Sequence, residues 1–235
     1  MAIAPMTLRL AVLASGRGSN LRAVLQAIAA GALDARVVGV FSDKAHAGAL
    51  DVARAAGVPA KSFDPRAHAG RIAFDEAMFS AVDAVQPDLI VMAGYMRLVS
   101  DAAVTARLGR MLNIHPSLLP AFKGLHTHAR ALAAGVPVHG ASVHVVTPAL
   151  DDGPVLAQAH VPVRAGDSAA DLAQRVLARE HPLLVATLQA FARGRMRWSD
   201  GAPHLDGAPL ARPLRLGDDD QLHDPAHDAT GATPA

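Results

Sequence analysis

Four apolar runs of strand length punctuate the first half of the chain: LRLAVLAS at 8–15, ARVVGVFSD at 35–43, PDLIVMAGY at 87–95 and RMLNIH at 110–115. Between them the apolar positions change to helical spacing. In SNLRAVLQAIAAG, Leu21, Val24, Leu25 and Ile28 repeat every three or four residues, and Gly31 stands where a helix would stop. AGALDVARAAG at 47–57 and AGRIAFDEAMFSAVDAV at 69–85 read as two further helices. Near-continuous apolar strands alternating with helices predict a Rossmann-like α/β fold, a mostly parallel sheet covered on both faces.

The pattern changes after residue 137. VHGASVHVVT and VLAQAHVPVR are two strand-like runs joined by PALDDGP, a segment rich in turn formers, and they are expected to pair as an antiparallel hairpin on the sheet edge. A long helix is predicted from about Ser168 to Ala192, with Leu172, Val176, Leu183, Leu184 and Leu188 on its apolar stripe. Residues 1–200 read as a single domain. Residues 201–235 read as a C-terminal extension, its polar end LGDDDQLHDPAHDATGATPA expected to be disordered from about 216.

At 235 residues the chain is long enough to bury a core without staples, and with aromatics at only 3% that core must be built from small aliphatic side chains. The net charge is +1 with the Arg residues scattered, which leaves no basic stripe for a nucleic-acid partner. The absence of cysteine removes disulfides and thiolate chemistry and suits a reducing compartment, so a cytoplasmic location is expected. The opening MAIAPMTLRLAVLAS lacks a basic region, and its apolar run is shorter than the roughly 18 residues a membrane span needs. No membrane association is expected.

Candidate chemistry lies at two strand ends. SGRGSN at 15–20 follows a strand and opens a helix, where backbone N–H groups and the helix dipole attract an anion. Gly16 and Gly18 let a backbone come close to a phosphate, and Ser19 and Asn20 can cap the helix or donate further hydrogen bonds. The same turn also serves simple tight packing. A dinucleotide is disfavoured: Asp43 ends the second strand where a ribose-binding acid would sit, but Leu21 replaces the third glycine of the dinucleotide fingerprint. A single phosphate fits better.

NIHPSLLP at 113–120 holds the second site. Side chains two apart on a strand share a face, so Asn113 and His115 face one space, and Pro116 keeps His115 extended. An amide donor beside an imidazole suits attack on a carbonyl, with the amide stabilising developing negative charge and the imidazole carrying the proton. Asp151 and Asp152 are available to orient the imidazole and favour its charged form, though both are also ordinary turn formers. His126, His128, His139 and His144 lack the spacing of a zinc ligand set, and no metal is expected.

These residues carry a specific resemblance. LASGRGSNLRAV, VFSDKAHAGAL, PDLIVMAGYMRLVS, MLNIHPSLLPAFKGLHTHARAL and HGASVHVVTPALDDGPVLAQ together resemble the phosphoribosylglycinamide formyltransferases, folate-dependent enzymes of purine synthesis, from about residue 8 to 195. The resemblance implies that Asn113, His115 and Asp151 form the catalytic set. It implies that Gly18, Ser19 and Asn20 bind the substrate phosphate and that Glu180 lies near the substrate amine. Arg71, Met96, Arg97, Leu98, Val99, Asn113, Thr147 and Asp151 would contact 10-formyltetrahydrofolate, the co-substrate.

Two positions depart from the usual pattern of the family. AFKG stands where a basic residue and a proline usually precede GLHTH, leaving Lys123 to supply the charge from a shifted position, and Asp152 stands where a glycine usually follows the catalytic acid. The partners implied are the two small-molecule substrates, with monomer or homodimer left open. Two other readings remain: the same folate site with water or another amine as acceptor, and a non-catalytic phosphosugar-binding module. The latter has no need for Asn113, His115 and Asp151 to converge.

Overall fold

The first strand, β1 (Leu8–Leu13), shows how the two faces of the sheet are built, for Leu10 and Val12 enter one apolar cluster while Ala11 and Leu13 enter another. Alternate side chains point to opposite faces, and both faces are covered, so the strand reads as continuously apolar. The computed structural model describes residues 7–225. After β1 come α1 (Ser19–Ala29), β2 (Ala35–Ser42), α2 (Gly48–Ala55), β3 (Ala60–Ser62), α3 (Arg71–Ala84), β4 (Leu89–Met92), α4 (Asp101–Thr105) and β5 (Met111–His115). The second half holds α5 (Thr127–Ala133), β6 (Val138–Val145), β7 (Val155–Pro162), α6 (Ala169–Ala192), β8 (Met196–Ser199), β9 (Ala202–Leu205), β10 (Ala208–Pro209), β11 (Leu214–Leu216) and β12 (Leu222–His223).

The main sheet runs β12-β11-β7-β6-β5-β4-β1-β2-β3. Strands β1 to β5 are mutually parallel, and β6 joins β5 antiparallel. Helices α1 and α6 cover one face through Leu21, Val24, Leu172, Val176, Leu183 and Leu188, while α3 covers the other through Phe74, Met78, Phe79 and Val82. Each such fully buried side chain contributes about 1.5–3 kcal/mol. Helix α6 starts where Ser168 Oγ accepts the Asp171 N–H at 3.2 Å and the Asp171 carboxylate accepts the Ser168 N–H at 3.0 Å, a reciprocal cap. No helix among the described residues is long and apolar enough to cross a membrane.

The end of the chain corrects the reading of a disordered tail. β6 and β7 form the expected antiparallel pair, but β7 is not the sheet edge, since β11 pairs with it in parallel and β12 pairs with β11. Leu214 and Leu216 alternate on one face of β11 and are both buried, and Arg179 of α6 donates to the Gly217 carbonyl at 2.6 Å and to Asp220 at 2.8 Å. Three residues of alternating LRL were enough to add a strand to an existing edge, and the polar letters after it obscured that signal. β8, β9 and β10 make a separate small antiparallel sheet. The last part of the predicted tail, 226–235, lies outside the described residues.

Candidate active site

The order of the sheet reverses at β1, whose neighbours are β4 on one side and β2 on the other, and such a switch point leaves a crevice beyond the carboxyl ends of the strands. A cleft of about 780 Å³ opens there. Its wall runs from the turn at Gly16–Asn20 through Met92–Val99, Asn113–Pro116 and Gly124–His128 to Thr147 and Asp151, with Glu180 at one side. Every expected site residue lines it except Arg71, an exposed residue at the start of α3.

Asn113 and His115 share a face at the end of β5, as their spacing requires. What no spacing reveals is the partner of Asn113: antiparallel pairing sets it opposite His144 of β6, and its Nδ2 lies 3.0 Å from His144 Nε2. His144 Nδ1 is 3.0 Å from the Val145 carbonyl oxygen, which can only accept, so Nδ1 carries the proton and Nε2 accepts from the Asn113 amide. Burial holds His144 below the usual imidazole range, against the opposing pull of Asp151, in keeping with that neutral ring. One amide N–H is thereby spent inside the protein and the other is left to face the cleft.

Asp151 reaches His115 from the loop after β6, with its Oδ2 3.5 Å from His115 Nδ1. The same oxygen accepts the Gly124 N–H at 2.9 Å, and Oδ1 lies 3.6 Å from His144 Nε2. His115 Nε2 is 3.1 Å from the Phe122 carbonyl oxygen, so each ring nitrogen faces an oxygen. Asp151, Phe122 and His126 all have left-handed backbones, at φ of 48, 55 and 58°. Such strain gathers where surrounding contacts over-determine a functional loop.

The turn at Gly16–Asn20 differs in detail from its sequence reading. Gly18, at φ 78°, is the N-cap of α1, and a Cβ there would come within 2.6 Å of the Ala49 Cα, so this glycine is needed for the close approach of α2. Asn20 does not turn its side chain to a ligand: its Nδ2 donates to Glu180 Oε2 at 2.9 Å across 160 residues of sequence. Its backbone N–H, in the first turn of α1, remains free to meet an anion. Burial pushes the Glu180 carboxyl above its usual range, and the Asn20 amide opposes that shift.

The two departures from the family pattern answer each other. Lys123 Nζ pairs with the carboxylate of Asp152, tying the loop after β5 to the loop after β6 on the outer side of Asp151. Both side chains are part-exposed, so the pair contributes at most about 1 kcal/mol. Lys123 is committed to a protein carboxylate and not to the cleft.

Behind His115 lie His128 and His139, their rings edge to face at 5.2 Å. His139 is only 1% exposed and neither ring nitrogen has a hydrogen-bond partner of normal geometry. Burial, helped by the neighbouring His128 and His115 and opposed by the Pro116 carbonyl, pushes His139 down to about 4 from 6.5. A depressed histidine stabilises the fold above its unfolded value and loses that contribution as the pH falls through its folded value. Unfolding free energy should therefore fall between pH 6.5 and about 4, with His139 accounting for up to about 3 kcal/mol. Denaturant titrations across that range should show a shallower slope for His139→Leu, and an unchanged slope would remove His139 from the account. Among the described residues no three His, Cys, Asp or Glu side chains converge as metal ligands would.

The formyl transferase family model matches residues 8–188. The phosphoribosylglycinamide formyltransferase of Escherichia coli (strain K12) is 45% identical over 203 residues, which cover 86% of this chain and 96% of that protein. Among solved structures, the phosphoribosylglycinamide formyltransferase of Coxiella burnetii matches with a TM-score of 0.83 at 42% identity, over 87% of this chain and 96% of that one. Glycinamide ribonucleotide transformylase 1 of Symbiobacterium toebii matches with a TM-score of 0.81 at 45% identity, over 85% and 94%. The chain belongs to the formyl transferase family. Within that family its place is among the phosphoribosylglycinamide formyltransferases.

Proposed function

We propose that this enzyme moves the formyl group of 10-formyltetrahydrofolate to the amine of phosphoribosylglycinamide, in purine (IMP) biosynthesis, by direct transfer through a tetrahedral intermediate. The observation that carries this reading is the meeting of Asn113, His115 and Asp151 in one cleft between an anion-binding helix start and a mostly apolar wall. The phosphate of the acceptor belongs at Gly18, Ser19 and Asn20. Its amine belongs near Glu180, and the folate belongs along Met96, Arg97, Leu98, Val99, Thr147 and the face of Asn113. Arg71 lies outside the cleft and has no part in this proposal.

The neutral amine attacks the formyl carbon, and the carbonyl electrons move onto oxygen. The free Asn113 N–H and the His115 imidazolium donate to that oxygen, where charge develops in the transition state. Delivering the His115 Nε2 proton requires exchange of its present acceptor, the Phe122 carbonyl, for the substrate. Asp151 orients the ring through Nδ1 and attracts its positive charge. Collapse of the intermediate breaks the bond to the folate nitrogen, and a proton passes from the acceptor amine to that leaving nitrogen. No covalent enzyme intermediate is needed, in keeping with a chain that has no cysteine.

Purified protein mixed with both substrates should release deformylated folate only when phosphoribosylglycinamide is present. Release without the amine would point to water as the acceptor, and no release with it would end this proposal.

A further inference from the structure

We infer that Asp43 and Asp75 are positioning residues for the folate side of the cleft, clamping the two ends of the segment Gly94–Ser100 from opposite elements. The inference rests on the proposed placement of the folate against Met96–Val99. At the first end, Ser15 Oγ donates to Asp43 Oδ1 at 2.5 Å and accepts the Met96 N–H at 2.9 Å, while the Ser15 N–H donates to the Gly94 carbonyl at 3.0 Å. At the other end, the Ser100 N–H donates to Asp75 Oδ2 at 2.6 Å.

Both acids stand where packing alone would place an apolar residue. Asp75 is 2% exposed on the same face of α3 as Phe74, Met78, Phe79 and Val82, and Asp43 is 9% exposed just past the end of β2. Burying a carboxylate is costly unless it is hydrogen-bonded, and the bonds these two accept all serve, directly or through Ser15, the backbone of one segment. Tyr95, within the segment, is raised above the usual phenol range by burial first, with the charges of Asp43 and Asp75 adding to the shift and Arg97 opposing it.

Between the pinned ends, Met96 and Leu98 remain 63% and 57% exposed at the cleft wall, and the Arg97 guanidinium lies over the Phe74 ring at 4.9 Å. The segment from Gly94 to Val99 is neither helix nor strand, so without the clamp its ordering would be charged to ligand binding. Fixed ends let Met96 and Leu98 meet a ligand already in place.

Asp75→Ala should raise KM for 10-formyltetrahydrofolate about tenfold, with kcat and KM for phosphoribosylglycinamide held within about twofold. Asp75→Asn keeps an oxygen that accepts the Ser100 N–H and should recover most of the loss. Asp43→Ala and Asp43→Asn should behave as the same pair, and they carry the test if Asp75→Ala does not fold. Leu98→Ala checks the segment itself. If Leu98→Ala raises the folate KM and the alanine variants at Asp43 and Asp75 do not, the clamp is overturned and the folate placement stands. If none of the three moves it, the folate placement is what fails. A fall in kcat with no rescue by asparagine would make these acids general fold residues and overturn the inference.

Discussion

Asn113→Ala and His115→Ala are each expected to lower turnover by about 10²–10³-fold, the loss that follows removal of a donor aimed at an oxyanion. Because the interaction is made with charge that exists only in the transition state, kcat and kcat/KM should fall together while KM for phosphoribosylglycinamide changes little. The pair acts as a unit, so the double variant should be scarcely worse than either single one. Asn113→Ala also leaves His144 Nε2 without its 3.0 Å partner, at a cost of about 1–3 kcal/mol in stability. Denaturant midpoints measured alongside the rates separate that cost from the catalytic one. Near-normal turnover in either folded variant would remove the assignment.

The β1 to β5 half of the fold was legible because its strands are buried on both faces and its helices keep strict periods. The strand period of two likewise puts Asn113 and His115 on one face from their spacing alone. His144 could not be placed with them. Its role depends on the register Asn113↔His144 between strands 31 residues apart, and register in an antiparallel pair is a property of two segments. The Asn20–Glu180 bond spans 160 residues and was hidden for the same reason. Read as part of a phosphate turn, Asn20 turns out to hold the Glu180 carboxylate.

At Asp43 the sequence reading set a dinucleotide aside but named no other partner for the carboxylate. Its position at a strand end suits a ribose-binding acid, and only the missing third glycine argued against that reading. The structure turns its carboxylate onto Ser15 instead. Arg71 came from resemblance alone, with no physical argument behind it, and it lies outside the cleft. Residues placed by strand period or helix-start chemistry reached the site. What the sequence could not show was which of their hydrogen bonds would be spent inside the protein.

Gly153→Ala is expected to cost about 100-fold in turnover without touching any group that meets the substrate. A Cβ at Gly153 would lie 1.8 Å from the Val145 carbonyl oxygen and 3.0 Å from Thr147 Cγ2. The first contact is with backbone, so no side chain can swing aside, and β6 and the start of β7 must part. That opening strains the Val145 N–H bond to the Pro154 carbonyl, now 2.9 Å, at the head of the β6–β7 pair. Asp151 is two residues away with its Oδ2 held by Gly124 and facing His115, so a shift of about 1 Å moves the carboxylate off the imidazole. The rate should be read where circular dichroism shows the variant folded, since the parted strands will also lower its melting temperature. Full turnover in a folded Gly153→Ala protein would mean that the placement of Asp151 against His115 does not set the rate.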